Sequence, residues 1–92
     1  MEKAIQIVVS GKVQGVFFRK NTYQKAGELG LKGFVSNQKD GTVKIIAQGD
    51  KMKLKALVEW CYQGPPNSIV EKVDVIELTT LHQYEKFEIH YL

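Results

Sequence analysis

Residues 32–48, KGFVSNQKDGTVKIIAQ, are the segment from which the architecture can be worked out. Its first half is centred on Phe34 and Val35 and predicts a strand, and its alternating second half, TVKIIAQ, predicts another. Asp40 and Gly41 lie between them, and a two-residue Asp-Gly connection between strands favours a type I′ turn. The segment therefore predicts a β-hairpin.

A helix is predicted on each side of this hairpin. Before it, four residues at spacings of four, four and three share one side of a helix: Phe18, Thr22, Ala26 and Leu29. Gly30 ends that helix, and Leu31 is the hydrophobic residue expected just past such a cap. After the hairpin, four residues recur at i, i+3, i+4 and i+7: Leu54, Leu57, Val58 and Cys61. Asp50 can cap this second helix, and Gly64 ends it.

Strands are also predicted outside both helices. Residues 3–10 alternate in hydrophobicity, residues 70–78 form a long strand, and Phe87, Ile89 and Tyr91 share a face of a last one. The order is then β-α-β-β-α-β-β. Right-handed crossovers place both helices on one face of a mixed, mostly antiparallel sheet. We therefore predict a two-layer α/β (α+β) sandwich, ferredoxin-like β-α-β-β-α-β with a short extra C-terminal strand.

Length and composition predict one domain over residues 1–92. The chain is 43% hydrophobic and 25% charged, as in ordinary globular proteins. Its apolar runs fall far short of the roughly 20 residues that span a bilayer, and the N-terminus leads directly into an alternating strand pattern. Cys61 is the only cysteine, so no intrachain disulfide forms. We expect a cytoplasmic monomer without a membrane partner.

Basic residues are unevenly distributed along the chain. Residues 1–55 carry eleven Lys or Arg and four acidic residues, whereas residues 56–92 carry two and six. Twelve of the thirteen basic residues are Lys, and the exception is Arg19. The first half should therefore attract anions, either phosphate-bearing small molecules or nucleic acid.

Residues 11–19, GKVQGVFFR, join the first predicted strand to the first helix. Such a junction directs unpaired main-chain N–H groups to one point, and the positive end of the helix dipole adds to them. Gly11 and Gly15 permit the curvature. Arg19 falls in the first helical turn, where its planar guanidinium can donate two parallel hydrogen bonds to a phosphate. The simpler interpretation is an ordinary turn with a solvated Arg19.

Other catalytic and metal-binding patterns are missing from the sequence. It contains no GKS or GKT, no GxGxxG after the first strand and no GxSxG. Cys61, His82 and His90 lack metal-ligand spacing, and Cys61 lies on the apolar side of its helix. We therefore predict no metal and no cofactor, with His82 in a loop and His90 facing outward from a strand. No pair of carboxylates stands out as an acid and base.

Two motifs carry a family resemblance. Residues 11–19 resemble the acylphosphatase signature GxVQGVxFR at every specified position. GFVSN at residues 33–37, followed by DGTV at 40–43 and Gly49, resembles the family's second signature, around its essential asparagine. Phe34 stands where many members have Trp, and Ser36 where a basic residue or Gln is common. The likeness to small common-type acylphosphatases covers essentially the whole chain.

This resemblance implies an enzyme that hydrolyses the carboxyl-phosphate bond of acyl phosphates without a metal. The catalytic residues would be Arg19 and Asn37, with Asn37 orienting the attacking water. Six residues would bind the phosphate through their main-chain N–H groups and the guanidinium: Gln14, Gly15, Val16, Phe17, Phe18 and Arg19. Inorganic phosphate or sulfate would compete for the same site. Without the motif, Asn37 would be interpreted as a strand residue near a turn.

Two other functions stay open at the level of sequence. An RNA-binding module would share the topology and the basic first half, and residues 32–34, KGF, begin like an RNP1 motif. Residues 35–37, VSN, continue without the aromatic residues that this motif requires. A non-catalytic anion-sensing domain would retain the phosphate loop without turnover. We expect the hydrolase, acting on a small acyl phosphate and without a nucleic-acid partner.

Overall fold

The computed structural model describes residues 2–91, and within them five strands and two helices follow one another along the chain. The elements are β1 (Glu2–Lys12), α1 (Phe18–Glu28), β2 (Lys32–Asn37), β3 (Val43–Asp50), α2 (Lys51–Gln63), β4 (Ile69–Leu78) and β5 (Phe87–His90). This is the predicted order. The limits of the predicted domain, Met1 and Leu92, lie outside the described residues.

The five strands form one sheet in the order β4-β1-β3-β2-β5. The pairs β1/β3, β1/β4 and β2/β3 are antiparallel, whereas β5 is parallel to β2. The first four strands have the predicted ferredoxin-like arrangement, and β5 is the predicted extra strand, added beside β2. The mixed, mostly antiparallel sheet is therefore confirmed.

The core lies between one face of the sheet and the two helices. Helix α1 packs on β2 and β5, and α2 packs on β3, β4 and β1. Strand residues that pair across the sheet share a face, and the helix-facing side supplies most of the buried apolar residues: Ile5, Ile7, Val9, Val35, Val43, Ile45, Ala47 and Phe87. The helices bury the predicted positions Phe18, Thr22, Ala26, Leu54, Leu57 and Cys61. Leu29 and Val58 are only partly buried.

The predicted end of α1 is confirmed in detail. Gly30 has a φ of 70°, the left-handed conformation that glycine adopts without steric cost. The Leu31 N–H donates to the carbonyl oxygen of Ala26 at 2.9 Å, and the Gly30 N–H donates to that of Gly27 at 3.1 Å. These two bonds define a Schellman motif, and Leu31 is buried as expected.

The hairpin between β2 and β3 is confirmed, but the type I′ turn is wrong. That turn requires a positive φ at both central residues, and of Asp40 and Gly41 only Gly41 has one, at 93°. The Gln38 N–H donates to Thr42 O at 2.8 Å, and the Gly41 N–H donates to Gln38 O at 3.2 Å. The loop therefore has three residues, with glycine in the left-handed position. The Thr42 hydroxyl and N–H both donate to Asp40 Oδ1, which lowers the pKa of that carboxyl.

Strand β1 extends further than the predicted residues 3–10. Gly11 and Lys12 pair with β4 after a register shift between Ser10 and Gly11. Gly11 has a φ of 122°, and a Cβ there would lie 2.1 Å from the carbonyl oxygen of Ile69. Only glycine permits this approach, so the loop before α1 is shortened to residues 13–17. Of the helices in residues 2–91, none is long and apolar enough to cross a bilayer.

Candidate active site

Three strands end at the edge of the sheet where α1 begins. Strands β1 and β2 are both antiparallel to β3 and therefore run in the same direction, and β5 runs parallel to β2. A cavity of about 260 Å³ opens between these strand ends and the first turn of α1. Its lining residues are Val13, Gly15, Phe17, Phe18, Arg19, Lys20, Asn37, Ile89 and Tyr91.

The loop of residues 13–17 leaves its main-chain N–H groups free. Gly15 has a φ of 73° and Phe17 a φ of 64°, and the left-handed conformation costs a non-glycine residue about 1–2 kcal/mol. Backbone of this kind gathers successive N–H groups into a concavity that suits an anion. Among the described residues, nothing accepts a hydrogen bond from the N–H groups of residues 15–19.

The two helices differ at their N-termini. In α2, Asp50 Oδ2 accepts hydrogen bonds from the N–H groups of Met52 at 3.0 Å and Lys53 at 3.4 Å, which confirms the predicted cap. In α1 the capping position is held by Phe17, whose side chain makes no capping hydrogen bond and is 71% exposed. The N–H groups and positive dipole end of α1 therefore remain available to a ligand.

Arg19 enters the cavity from the first turn of α1. Its guanidinium carbon lies 4.9 Å from the centre of the Tyr91 ring, a cation–π contact that holds the guanidinium near the ring and uses none of its N–H donors. Lys20 lines the same cavity, and none of the nine lining residues is acidic. The cavity therefore carries a positive charge that suits a phosphate.

Asn37 reaches the same cavity from the last position of β2. Its side-chain oxygen, Oδ1, is buried and has no hydrogen-bond partner within residues 2–91. An unsatisfied buried acceptor costs about 1–3 kcal/mol, and such groups in native proteins usually have a reason to exist. The side chain that carries this unpartnered oxygen lines the cavity.

The predicted site residues come together in part. Arg19 and Asn37 share the cavity with three further members of the predicted phosphate loop, Gly15, Phe17 and Phe18. Gln14 and Val16 do not line it. Val16 is partly buried against the core. The Gln14 side chain turns instead to the hairpin, where Nε2 donates to the carbonyl oxygens of Gln38 at 2.8 Å and Thr42 at 2.9 Å.

Sequence reasoning missed four of the nine lining residues: Val13, Lys20, Ile89 and Tyr91. Tyr91 was assigned only to a strand face, and Lys20 was given no role. The alternating pattern FEIHY contains no signal for the contact of Tyr91 with Arg19, because that contact requires β5 to pair with β2. The register of the β2–β5 pair places Ser36 opposite His90, so the next residues along, Asn37 and Tyr91, reach the same end of the sheet.

The cysteine and the histidines lie apart from this cavity. Within the described residues, no three His, Cys, Asp or Glu side chains are grouped to hold a metal ion. Cys61 is buried, and burial raises the pKa of its thiol to about 12, so the thiolate nucleophile is not formed near neutral pH. His82 lies in the connection after β4, and His90 stacks on Phe34 at the exposed face of the sheet, with ring centres 4.2 Å apart.

Known proteins resemble this chain over nearly its whole length. A family model described as Acylphosphatase matches residues 5–89. A protein named Acylphosphatase from Marinobacter nauticus is 49% identical over 81 residues, which are 88% of each chain. The structure of an acylphosphatase from Coxiella burnetii matches with a TM-score of 0.93 at 40% identity, covering 97% of this chain and 93% of that one. That of the acylphosphatase from Bacillus subtilis matches with a TM-score of 0.94 at 37% identity, covering 99% and 100%.

Proposed function

Because this chain belongs to the acylphosphatase family, we propose that it performs the family's reaction in the cavity shared by Arg19 and Asn37. The chain is an acylphosphatase, a hydrolase that converts an acyl phosphate and water into a carboxylate and inorganic phosphate. The RNA-binding module and the anion-sensing domain are not favoured, since the relatives that match most of the chain are acylphosphatases.

The phosphate group is bound at the mouth of α1. The free N–H groups of residues 15–19 and the Arg19 guanidinium together donate several hydrogen bonds to its oxygens. The cation–π contact with Tyr91 helps to hold the guanidinium in place, and Lys20 adds positive charge. These groups are in place before the substrate arrives, so they stabilise the charge of the transition state without reorganisation.

Asn37 holds the attacking water. Its Oδ1 accepts one water hydrogen, which turns a lone pair of the water oxygen toward phosphorus. The new P–O bond forms as the bond from phosphorus to the carboxyl oxygen breaks, and the carboxylate leaves with the electron pair. The water proton passes to a phosphate oxygen. A carboxylate needs little help to leave, so positioning and charge stabilisation suffice without a protein acid or base.

The unpartnered Oδ1 of Asn37 is the single observation that carries these roles. It is a buried acceptor on a residue that lines the same cavity as Arg19 and the loop with its free N–H groups. A turn residue with a purely local role would use this oxygen in a local hydrogen bond. The absence of such a hydrogen bond among the described residues supports a role for this oxygen in holding the water beside the phosphate.

Hydrolysis of acetyl phosphate in excess chelator tests the proposal. We expect release of inorganic phosphate, with inorganic phosphate and sulfate acting as competitive inhibitors. A phosphate monoester is the matched control, because its alkoxide leaves poorly and no acid lines the cavity, so no hydrolysis is expected. Loss of turnover on chelation, or binding of single-stranded RNA without any turnover, would contradict the proposal.

We also infer that residues 1–92 act as one acylphosphatase-like domain, as a monomer and in the cytoplasm. A single cysteine, buried and unpaired, suits a reducing compartment. Sedimentation of the active protein as a dimer would contradict the monomer.

A further inference from the structure

We propose that Gln14 is a positioning residue whose side chain fixes the phosphate loop relative to Asn37, an inference that rests on the function proposed above. Gln14 Nε2 donates to the carbonyl oxygen of Gln38 at 2.8 Å and to that of Thr42 at 2.9 Å. An amide nitrogen has two hydrogens, so both are committed to the loop of the β2–β3 hairpin. The side chain thus ties the loop of residues 13–17 to the hairpin.

This tie joins two parts of the site that the sheet does not connect directly. Strand β3 lies between β1 and β2, so no main-chain ladder links the end of β1 to the end of β2. The phosphate loop follows β1, and Gln38 directly follows Asn37 at the end of β2. Gln14 bridges this gap beside the end of β3. Among the hydrogen bonds of the described residues, these two are the ones that join the loop to the hairpin.

The hairpin itself does not depend on Gln14. The carbonyl oxygen of Gln38 also accepts from the Gly41 N–H at 3.2 Å, and that of Thr42 also accepts from the Gln38 N–H at 2.8 Å. Removing the Gln14 amide therefore leaves neither carbonyl without a partner, and the turn stays closed. The specific effect of the side chain is on the loop that carries it.

The loop needs such a restraint because of its conformation. Left-handed residues such as Phe17 persist only where the surroundings hold them. Val13 and Phe18 anchor the two ends of the loop by complete burial, whereas Gly15 and Phe17 between them are exposed. Gln14 supplies the polar attachment within the loop itself.

Loss of the Gln14 hydrogen bonds should therefore affect phosphate binding and turnover differently. The phosphate is held by the loop and α1, and the water is held by β2, so in-line attack requires a fixed distance between these two elements. Displacement of reacting groups by roughly 1 Å can cost about 100-fold in rate. Without the tie, the Arg19 guanidinium and the N–H groups of Phe18 and Arg19 stay in place, because Phe18 fixes the first turn of α1 in the core, so part of the phosphate site is retained. Loss of the tie therefore lowers kcat more than phosphate affinity.

The first test compares Gln14→Leu with Gln48→Leu. We expect Gln14→Leu to lower kcat about tenfold or more, with KM and the inhibition constant of inorganic phosphate changed by less than about threefold. Gln48 is a matched control, since its amide donates to His82 O at 2.7 Å and accepts from His82 N at 3.0 Å, away from the cavity. Gln48→Leu should keep wild-type kcat. Equal losses of kcat in both variants would reduce Gln14 to a general structural role and overturn the inference.

Gln14→Glu provides a second readout that does not depend on side-chain packing. An ionised carboxylate cannot donate, and two carbonyl oxygens face it, so the pKa of the introduced carboxyl rises. Protonation restores one donor. We expect the kcat of Gln14→Glu, relative to wild type at each pH, to recover as the pH falls, whereas that of Gln14→Leu stays flat. Parallel profiles for the two variants would overturn the inference.

A double-mutant cycle with Asn37→Ala separates this inference from the proposed function. In the Asn37→Ala background, Gln14→Leu should cause no further loss of single-turnover rate. The tie at Gln14 aligns the phosphate with the water that Asn37 holds, and that water is already lost. Two results would overturn the role of Gln14 but not the proposed function. One is an additive loss of rate in the double variant, and the other is a wild-type kcat in Gln14→Leu while Asn37→Ala is inactive. Normal turnover of Asn37→Ala would overturn both.

Discussion

Individual residues of the cavity are held in states that oppose folding. Phe17 is left-handed, and the Oδ1 of Asn37 is buried without a hydrogen-bond partner among the described residues. Each of these features is unfavourable in the free protein. A bound phosphate and its water would offset them through the free N–H groups and the amide oxygen.

The substitution Asn37→Ala separates turnover from stability. We expect kcat for acetyl phosphate to fall by at least about 100-fold, because the water loses its acceptor, while the affinity for inorganic phosphate stays nearly unchanged. The free energy of unfolding should stay the same or rise, since Ala removes an unsatisfied buried oxygen. Asn67→Ala, at an exposed turn asparagine, is the control and should change neither quantity. Normal turnover in Asn37→Ala would mean that another group holds the water.

Arg19→Lys tests the geometry of the guanidinium while keeping its charge. A lysine ammonium keeps the charge but cannot donate two parallel hydrogen bonds to a phosphate. We expect weaker binding of inorganic phosphate and loss of measurable turnover, with the melting temperature nearly unchanged. Lys20→Met removes a point charge from the same cavity and should have a smaller effect. Comparable losses in both variants would show that charge alone matters.

The N-termini of the two helices differ in what they contribute: that of α2 contributes to stability, and that of α1 to anion binding. Helix α2 has its first N–H groups satisfied by Asp50, whereas α1 begins at Phe17 without a side-chain cap. Uncapped N–H groups at a helix start bind anions well, but they add little to stability until a ligand is present. We therefore expect the cap of α2 to affect folding without affecting catalysis.

Asp50→Ala tests this division between the helices. Loss of an N-cap side chain lowers stability by about 1 kcal/mol, which denaturant unfolding should show. The kcat of the folded variant should match wild type, since no residue of α2 lines the cavity. Asp50→Asn keeps the capping acceptor and should retain wild-type stability. A lower kcat for Asp50→Ala, measured where the variant is fully folded, would contradict the proposal that the cap of α2 does not affect catalysis.

At the scale of the whole molecule, the sheet topology places the site. The C-terminal ends of β1, β2 and β5 meet at one edge only because β3 runs in the opposite direction between β1 and β2. The core that supports this edge is continuous from the strands to both helices and contains Cys61, on the buried face of α2. The thiol of Cys61 therefore reports on the integrity of the whole core.

The raised pKa of Cys61 predicts a loss of stability at alkaline pH. The thiol has a usual pKa of 9.0, and burial raises it to about 12 in the folded protein. Below pH 9 the thiol is protonated in both states and contributes no pH dependence. Between pH 9 and 12 only the unfolded state loses this proton, so stability falls as pH rises, by up to about 1.4 kcal/mol per pH unit. Denaturant unfolding from pH 8 to 10.5 should show a steeper decline in wild type than in Cys61→Ala. Identical slopes would contradict a buried, protonated thiol.

Much of the fold could be predicted because its signals are local. The Schellman end of α1, the Asp50 cap and the alternating strands each depend on residues within a few positions of one another. The two sequence motifs also identified Arg19 and Asn37 as candidate site residues, and the catalytic roles of these residues stay predictions. Where the deciding contact lies farther away, the prediction was wrong or incomplete. Gly11 continues β1 because it pairs with β4. The Asp40-Gly41 turn is the exception, since the hydrogen bond that closes its three-residue loop joins Gln38 and Thr42, which are near one another in the chain.

The functional arrangement of the cavity depends on contacts between residues that are distant in the chain. The sequence contains Gln14, Tyr91 and the pair Arg19 and Asn37, but it does not contain their distances. Strand order brings Tyr91 over the Arg19 guanidinium, directs the Gln14 amide onto the hairpin and leaves the Asn37 oxygen buried without a partner. Short-range hydrogen bonding and hydrophobic periodicity specify the elements. Only the packed sheet specifies which of their ends meet.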